Sequence, residues 1–361
     1  MSRLPRGAET PILTGMGRTQ PNIAIDQARR PLYVGVDLGG QSVKLGLVDD
    51  LGQTLGRSQI PTDVDGGPDD GVRRIALAVT ALIEDAGANG TEVAAVGLAT
   101  PGTMDIPAGM LLEPVNFPSW RQYPIRDSLQ RAVQMDVTYT NDATAAAYGE
   151  YWVGTGRQYN SLVLLTLGTG IGGGIILGDQ PVDGEHSHGG ECGHIIIDSH
   201  DDARLCGCGQ RGHLEAYASA TAVTKRLAEE LSAHPDSSLH ARKAAGDVLT
   251  PKVLAEEAER GDAWALQLIQ ETARYLGVGV VSLMHTLDPA AVVLGGAMTF
   301  GGAAHPLGQR FLAWVREEVQ RRAFPVLAHS TVVDFASLGS HAGYVGAAGI
   351  ARVARQRNTQ P

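Results

Sequence analysis

The sequence is poor in cysteine, and it has no long hydrophobic run. An odd number of cysteines in 361 residues does not describe a disulfide framework, so we expect reduced thiols and a cytoplasmic protein. The longest apolar stretch, Tyr275 to Leu287, is interrupted by Ser282 and His285 and is shorter than the roughly 20 residues that span a bilayer. It predicts a buried helix. The three cysteines are Cys192, Cys206 and Cys208.

Positive charge is scarce as well. The formal net charge is −10, whereas binding to nucleic acid depends on clustered lysine and arginine. We therefore expect no nucleic-acid partner, and the absence of an apolar N-terminal segment gives no sign of secretion or of a membrane partner. Glycine is abundant, with 46 residues, and 43% of the chain is hydrophobic. This composition is typical of an α/β globule with many tight turns, and it excludes a wholly disordered chain.

Two hairpins with glycine at their tips dominate the predicted fold. Residues 1–31 are rich in proline, glycine and arginine without a sustained period, which predicts a flexible leader. A strand then begins at Leu32, turns at Gly39-Gly40 and returns through residues 43–48. Residues 161–177 repeat this design around a second glycine-rich tip. Such weak internal duplication predicts two related lobes with a cleft between them.

Strands alternate with helices between and after the hairpins, which indicates parallel strands covered by helices. We assign a small α/β lobe to residues 32–140 and a large α/β lobe to residues 141–340, and we expect a last helix at 341–356 to pack back on the small lobe. The other predicted elements are helices at 71–86 and 125–133 and strands at 93–99, 137–140 and 291–294.

Each glycine tip is a candidate phosphate site. Glycine lets backbone N–H groups approach an anion closely, and it allows the positive φ of an anion-binding nest. The alternative is that the glycines only close the hairpins, which weighs more for Gly39-Gly40 than for residues 168–174, where five of seven residues are glycine. Neither tip is a Walker A loop or a dinucleotide fingerprint, because the chain continues as a strand in both cases.

Asn141-Asp142 follows a predicted strand and precedes a helix-like stretch at residues 143–152. Asp is an ordinary N-cap in this position, because its carboxylate accepts hydrogen bonds from first-turn N–H groups. The alternative is that Asp142 accepts the proton of an attacking hydroxyl, as a catalytic aspartate does in phosphoryl transfer.

Metal-binding side chains cluster between Glu191 and Glu215, two residues that could also be exposed charges. Two thiolates and two imidazoles form a satisfactory tetrahedral zinc set, which would brace a loop. Buried thiols and hydrogen-bonded histidines are the alternative. The candidate ligands are His194, Cys206, Cys208 and His213, whereas His186, His188 and His200 are interpreted as solvated loop residues.

These motifs together resemble the ROK family of repressors, open reading frames and sugar kinases. The resemblance covers nearly the whole chain after the leader, and it implies a two-lobed actin-like ATPase (ribonuclease H-like) fold with a cleft between the lobes. The matching motifs are Asp37-Leu38-Gly39-Gly40, Pro101-Gly102, Asn116 with Trp120, Asn141-Asp142, residues 168–174, Glu191-Cys192-Gly193-His194, Cys206-Gly207-Cys208-Gly209 and Gly295-Gly296.

The resemblance implies ATP-dependent phosphorylation of a hexose hydroxyl, with Asp142 as the base, Mg²⁺ bridging the ATP phosphates and a structural Zn²⁺. We favour glucose, and fructose, mannose, allose and N-acetylhexosamines stay open, as does polyphosphate as the donor. The implied sugar-binding residues are Gly102, Asn116, Asn141, Glu191, His194 and Glu215. The implied ATP-binding residues are Asp37, Gly39, Gly40, Gln41, Lys44, Gly168, Thr169, Gly170, Gly172, Gly295 and Gly296.

Two positions depart from the family pattern. His213 stands where the family has a third cysteine, and Gln41 stands where it has a threonine.

Two other functions are alternatives to a sugar kinase. A sugar-sensing transcriptional regulator would carry a helix-turn-helix ahead of Leu32, where this sequence is irregular, and an inactive sugar-binding protein would not need Asp142 or both hairpins. Members of the family are often dimers or tetramers, so a homo-oligomer is expected.

Overall fold

The computed structural model describes residues 22–114 and 117–359. Within these ranges the strands are β1 (Leu32–Leu38), β2 (Ser42–Val48), β3 (Thr54–Pro61), β4 (Val93–Thr100), β5 (Thr103–Asp105), β6 (Met110–Glu113), β7 (Val137–Asn141), β8 (Ser161–Leu167), β9 (Ile171–Leu177), β10 (Gln180–Pro181), β11 (Ala291–Gly295) and β12 (Val332–Phe335). The α-helices are α1 (Gly67–Asp85), α2 (Ile125–Val133), α3 (Asp142–Trp152), α4 (Glu215–Ala218), α5 (Ala220–Glu230), α6 (Leu239–Ala244), α7 (Pro251–Glu259), α8 (Ala263–Leu287), α9 (Pro306–Arg322), α10 (Pro325–Ser330) and α11 (Ala342–Thr359).

The two main sheets repeat one topology. The first has the strand order β3-β2-β1-β4-β7, and the second has the order β10-β9-β8-β11-β12. In each sheet an antiparallel glycine-tipped hairpin is joined by two parallel strands on one side. The predicted two-lobed α/β architecture and its internal duplication are therefore confirmed.

Helix α1 shows how the sequence specifies these elements. Its apolar residues recur at helical spacing, so Val72, Ile75, Val79 and Leu82 are all buried on one face against the first sheet. The helix begins at Gly67, earlier than predicted, with a proline in its first turn, where a missing N–H costs little. It ends as predicted, because Gly87 adopts a left-handed φ of 73° just after the last turn.

Helices α3 and α11 lie side by side between the two sheets. Helix α11 covers β1 and β4 of the first sheet, whereas α3 packs on β8 and β9 of the second. Glycines allow this close approach: a Cβ at Gly97 would overlap the carbonyl of Ala347, and a Cβ at Gly174 would lie 2.5 Å from the carbonyl oxygen of Ala143. Both helices begin near the cleft, so the fold brings two helix N-termini together there.

The structure differs from the expected flexible leader over residues 22–31. The Ile23 N–H donates to the Thr54 carbonyl across 2.9 Å, at the start of β3. Arg30 pairs with Glu92 at 2.7 Å, and the Ile23 side chain packs on the core of the first sheet. The apolar residues of this segment have no period long enough to predict a regular element, yet they pack against the apolar core of the first sheet. Residues 1–21 of the expected leader lie outside the described residues.

Strand β3, of eight residues, was not predicted, and neither were two smaller features. Strand β12 has four residues and directly follows α10, and the hairpin β5–β6 is built from strands of three and four residues. Runs this short carry too little alternation to identify a strand. The long helix over residues 263–287 contains the buried apolar stretch predicted there. None of the described helices combines the length and apolar character needed to cross a membrane.

Candidate active site

The site is centred on the N-terminus of α3. The Asn141 side chain caps this helix, because its Oδ1 accepts hydrogen bonds from the N–H groups of Ala143 (2.9 Å) and Thr144 (3.2 Å). The alternative in which Asp142 is the cap is therefore wrong. Asp142 is the first residue of the helix, and its Oδ1 accepts only a local bond from the Ala143 N–H at 2.8 Å.

Asp142 borders three adjoining cavities in the cleft. The smallest, of about 110 Å³, also contains Gly102, Asn141 and Glu191, and we call it the inner cavity. A second, of about 330 Å³, is lined by Glu191, His194, Glu215, Gly168, Gly170, Gly172 and Gly296. The third, of about 240 Å³, is lined by Asp37, Lys44, Gly295, Gly296 and the residues at the start of α11, and we call it the outer cavity. One carboxylate thus faces groups from both lobes.

Electrostatics favour proton acceptance at Asp142. Burial raises the pKa of its carboxyl, the N–H of Ala143 lowers it, and the negative charge of Glu191 raises it. Burial also raises the pKa of Asp37 to about 6, against the opposing effect of Lys44. A carboxylate with a raised pKa is a stronger base than an exposed one, so Asp142 is suited to take a proton from a bound hydroxyl.

The glycines of the second hairpin have a different role from the one expected. No glycine in residues 168–174 has a φ in the left-handed region, so the positive-φ nest predicted for this tip is wrong. Gly172 and Gly173 are needed for close packing: a Cβ at Gly172 would lie 2.5 Å from Thr166 Oγ1, and one at Gly173 would lie 2.5 Å from Cys192 Sγ, whereas a Cβ at Gly168 would meet no atom within 4 Å. Strand β9 can therefore lie close to both α3 and the turn that carries Glu191.

The first hairpin places only part of its predicted set in the cleft. Asp37 and Lys44 line the outer cavity, whereas Gly39, Gly40 and Gln41 line none of the three cavities. Gly39 lacks the expected left-handed φ too, and its N–H donates to the Ser42 carbonyl across 3.0 Å. The Thr169 side chain is likewise absent from the cavity walls, although its carbonyl accepts a hydrogen bond from Thr221 Oγ1 at 2.8 Å.

The Gly102 turn forms one wall of the inner cavity. Its φ is 94°, and a Cβ there would lie 2.8 Å from Pro114 Cα, so both conformation and space require glycine. Asn116, the next predicted sugar contact, lies outside the described residues. Trp120 is fully buried against Phe117 and α1 and lines none of the three cavities, so it is a core residue of the small lobe.

The four candidate zinc ligands converge. One donor atom from each of His194, Cys206, Cys208 and His213 lies within 4.8 Å of the others. Two sulfurs and two imidazole nitrogens form a donor set of the kind zinc prefers, and this spacing suits a single tetrahedral ion. The residues present therefore fit the metal.

Glu215 connects this cluster to the second hairpin. Its Oε2 accepts a hydrogen bond from the Ile171 N–H at 2.9 Å, and its Oε1 lies 3.5 Å from Cys206 Sγ. The alternative in which Glu215 is simply an exposed charge is wrong. His200 is exposed, as interpreted from the sequence, and its Nδ1 lies 2.7 Å from Asp198 Oδ1.

Three residues of the inner cavity were missed by sequence reasoning: Asp183, Ser187 and His188. They lie in an irregular loop between β10 and Glu191 that has no hydrophobic period and no motif spacing, and His188 was interpreted as solvated. Two acidic residues, Asp183 and Glu185, among the glycines and histidines of this loop are the one available signal, and it is weak.

Comparison with known proteins agrees with this geometry. A model of the ROK family matches residues 33–354. A glucokinase of Halalkalibacterium halodurans is 32% identical over 87% of this chain and 93% of its own. A ROK hexokinase structure from Thermus thermophilus has a TM-score of 0.75 at 31% identity, covering 90% of this chain and 99% of its own. A ROK glucokinase structure from Streptomyces griseus in complex with glucose and AMPPNP has a TM-score of 0.70 at 33% identity, with coverage of 89% and 99%.

The matched residues, 33–354, include every residue that lines the three cavities.

Proposed function

This chain belongs to the ROK family, and from that membership we propose that it is an ATP-dependent sugar kinase with an actin-like fold that converts glucose to glucose 6-phosphate. One observation carries the proposal. Asp142 borders the cavities that hold the predicted sugar contacts and also the cavity that holds Asp37, Lys44 and Gly295-Gly296. A base in this position can reach a sugar hydroxyl and lies beside the space for a nucleotide.

The sugar side of the reaction uses polar side chains that lie near Asp142. Glu191, His194 and Asn141 border the cavities around Asp142 and can bind hydroxyls of the ring. Asp142 accepts the proton of the attacking hydroxyl, whose oxygen forms a bond to the terminal phosphorus of ATP while the bond to the ADP oxygen breaks. A missing hydroxyl would leave one of these polar groups without its partner, which is how such a site selects its substrate.

The nucleotide side uses the first hairpin and the start of α11. Lys44 supplies a positive charge for the phosphates, and the N-terminal turn of α11 lies across the same cavity. The Asp37 carboxylate is the hard oxygen ligand that would hold Mg²⁺, and its burial beside Gly343 suits that role. Magnesium, when bound, neutralises the charge that develops on the phosphates.

We also propose a structural zinc ion held by His194, Cys206, Cys208 and His213. Zinc would brace the loop whose Glu215 fixes the second hairpin, and the ion takes no part in the phosphoryl transfer. Metal analysis of the purified protein tests this, with about one zinc per chain expected. The variant His213→Ala should lose the metal and lower the melting temperature, whereas His213→Cys should keep it. Full metal content in His213→Ala would overturn the proposed set.

A sugar panel tests the proposed substrate. We expect ADP release with ATP to give its highest kcat/KM for glucose, compared with fructose, mannose, allose and N-acetylhexosamines. A higher kcat/KM for another hexose would assign a different kinase of the same family. Polyphosphate in place of ATP tests the donor. Absence of ADP release with every sugar would contradict the kinase function and favour an inactive sugar-binding protein.

We further propose a cytoplasmic homo-oligomer of two or four copies that does not act on nucleic acid. The net charge of −10 supports the absence of a nucleic-acid partner, and the three free thiols support a cytoplasmic location. Light scattering of the purified protein tests the number of copies, and a monomeric mass would contradict the proposal. Tight binding to duplex DNA at physiological salt would favour a regulator instead.

A further inference from the structure

One carboxylate of the inner cavity is not explained by anything above. Asp183 Oδ1 is buried and has no hydrogen-bond partner among the described residues. Three other buried side-chain atoms in the described part of the chain lack partners, on Trp120, Thr140 and Arg226, but none of these residues lines a cavity of the cleft. Asp183 alone combines an unsatisfied charge with an open cavity, the same cavity that contains Asn141 and Asp142.

Among residues 22–114 and 117–359, no hydrogen bond or ion pair involves the Asp183 side chain. Its backbone is held by other bonds: the Asp183 carbonyl accepts from the Gly189 N–H at 2.7 Å, and the preceding Val182 N–H donates to Ile175. Burial alone raises the pKa of the carboxyl. A buried carboxylate oxygen without a partner is costly, and a ligand that supplies the missing donor would explain why this one lies in a cavity.

The loop that carries Asp183 also reaches the small lobe. Ser187 Oγ accepts a hydrogen bond from the Ile106 N–H at 2.9 Å, and Ile106 directly follows β5. Ser187 has a φ of 61°, an uncommon conformation for a residue with a side chain. The inner cavity is therefore bounded by both lobes, because Gly102 and the Asp183 loop both line it, and a sugar that contacts Asn141 there lies in the same cavity.

We propose that Asp183 accepts a charged hydrogen bond from a sugar hydroxyl other than the one that is phosphorylated, and so helps to determine substrate specificity. This inference rests on the proposed function. Hydrogen bonds to a carboxylate are stronger than those between neutral groups, and a buried carboxylate without its donor is penalised. The site should therefore discriminate against a sugar that lacks that hydroxyl or carries a group there that cannot donate.

The test combines enzyme variants with deoxy sugars. Steady-state kinetics are measured for wild type, Asp183→Ala and Asp183→Asn with glucose and its 2-, 3- and 4-deoxy derivatives. We expect Asp183→Ala to raise the KM for glucose about 10- to 100-fold with little change in kcat. For one deoxy sugar the wild type should already be weak, and the substitution should cause no further loss. Glu185→Gln is the matched control, because this carboxylate lies two residues away and is exposed.

A structural role for Asp183 predicts different results. It would lower kcat/KM by the same factor for all four sugars, or lower the melting temperature of the sugar-free protein in both variants, and either result overturns the inference. The unpaired carboxylate predicts instead that Asp183→Asn keeps or raises that melting temperature at pH 8. If wild type releases no ADP with any sugar, the proposed function fails. Glucose binding by calorimetry then still tests Asp183, and equal affinity of wild type and Asp183→Ala would overturn the contact.

Discussion

Helices α3 and α11 begin at the same cleft but differ in chemistry. Each lies on the inner face of one sheet, and glycines of that sheet allow the helix to approach it closely. Helix α3 is capped by Asn141 and has Asp142 in its first turn, whereas α11 has no acidic residue in its first turn. The duplicated scaffold thus carries an acidic residue of its own in the first turn of α3, whereas the start of α11 has none and lies beside Asp37 of β1.

This difference explains how one fold can serve two ligands. A helix N-terminus favours negative charge, so the start of α11, which lines the outer cavity, suits phosphates there. At α3 the protein's own carboxylate fills the corresponding place and becomes available as a base. If the comparison is correct, changes at the start of α3 affect the chemical step, and changes at the start of α11 affect nucleotide binding.

The largest expected effect is that of Asp142→Asn. An amide cannot accept the hydroxyl proton, so kcat should fall by about 10³-fold while glucose still binds within a few-fold of wild type. ADP release and calorimetry measure the two quantities.

Asp136→Asn serves as the matched control for that loss, because Asp136 is exposed just before the opposite end of β7. Its kcat should equal that of wild type. If Asp142→Asn kept more than a tenth of wild-type activity, Asp142 would not be the base and the contrast between the helix ends would disappear.

The pH dependence of kcat sharpens the role assigned to α3. Burial raises the pKa of Asp142, with Asp37, Glu191 and Tyr139 as its charged or titratable neighbours. The active form is the ionised one, so kcat should fall about tenfold per pH unit on the acid side, beginning at a pH above the ordinary value of about 4 for aspartate. A flat profile down to pH 4 would argue against a buried catalytic carboxylate.

Glycine-to-alanine substitutions compare how closely the two helices pack on their sheets. The added methyl group of Gly174→Ala would overlap α3, and that of Gly97→Ala would overlap α11. Each should lower the free energy of unfolding by about 1–3 kcal/mol, measured by denaturant titration. Gly174→Ala alone should also lower kcat, by about tenfold, because it displaces Asp142.

Gly90→Ala controls for the substitution itself, since no atom lies within 4 Å of the added carbon. It should change neither stability nor kcat. An equal loss of kcat in Gly97→Ala and Gly174→Ala would contradict the assignment of the chemical step to α3 and of nucleotide binding to α11.

The smallest effect is expected at the start of α11. A Cβ at Gly343 would lie 3.1 Å from Asp37 Cβ and would crowd the Asp37 carboxylate. Gly343→Ala should raise the KM for ATP a few-fold and leave the KM for glucose unchanged, in kinetics with each substrate varied in turn. A parallel rise in both KM values would contradict a nucleotide role for this end of the cleft.

The fold could be predicted from sequence where the patterns were long. The hairpin repeat, the amphipathic face of α1 and the strand before Asn141 each carried a clear period, and the structure confirms them. The short strand β12 and the packing of residues 22–31 could not be predicted, because neither has a period and both depend on apolar surfaces made by distant segments.

The site was predicted where residue chemistry was distinctive. The Cys and His spacing indicated the cluster that the structure brings together, and Asn141-Asp142 marked the start of α3. The predicted positive φ of the hairpin glycines was wrong, because sequence does not distinguish a glycine needed for positive φ from one needed for close packing. Asp183 was missed because its importance lies in an unmet hydrogen bond, which only coordinates can show.

The most direct test of the account is a crystal structure of Asp142→Asn with glucose and a non-hydrolysable ATP analogue. We predict that the residue 142 side chain lies within hydrogen-bond distance, about 2.6–3.2 Å, of the glucose hydroxyl that faces the terminal phosphate. The nucleotide should lie across the start of α11. Glucose bound outside the cavities that Asp142 borders, or a terminal phosphate directed away from that residue, would contradict the central claim.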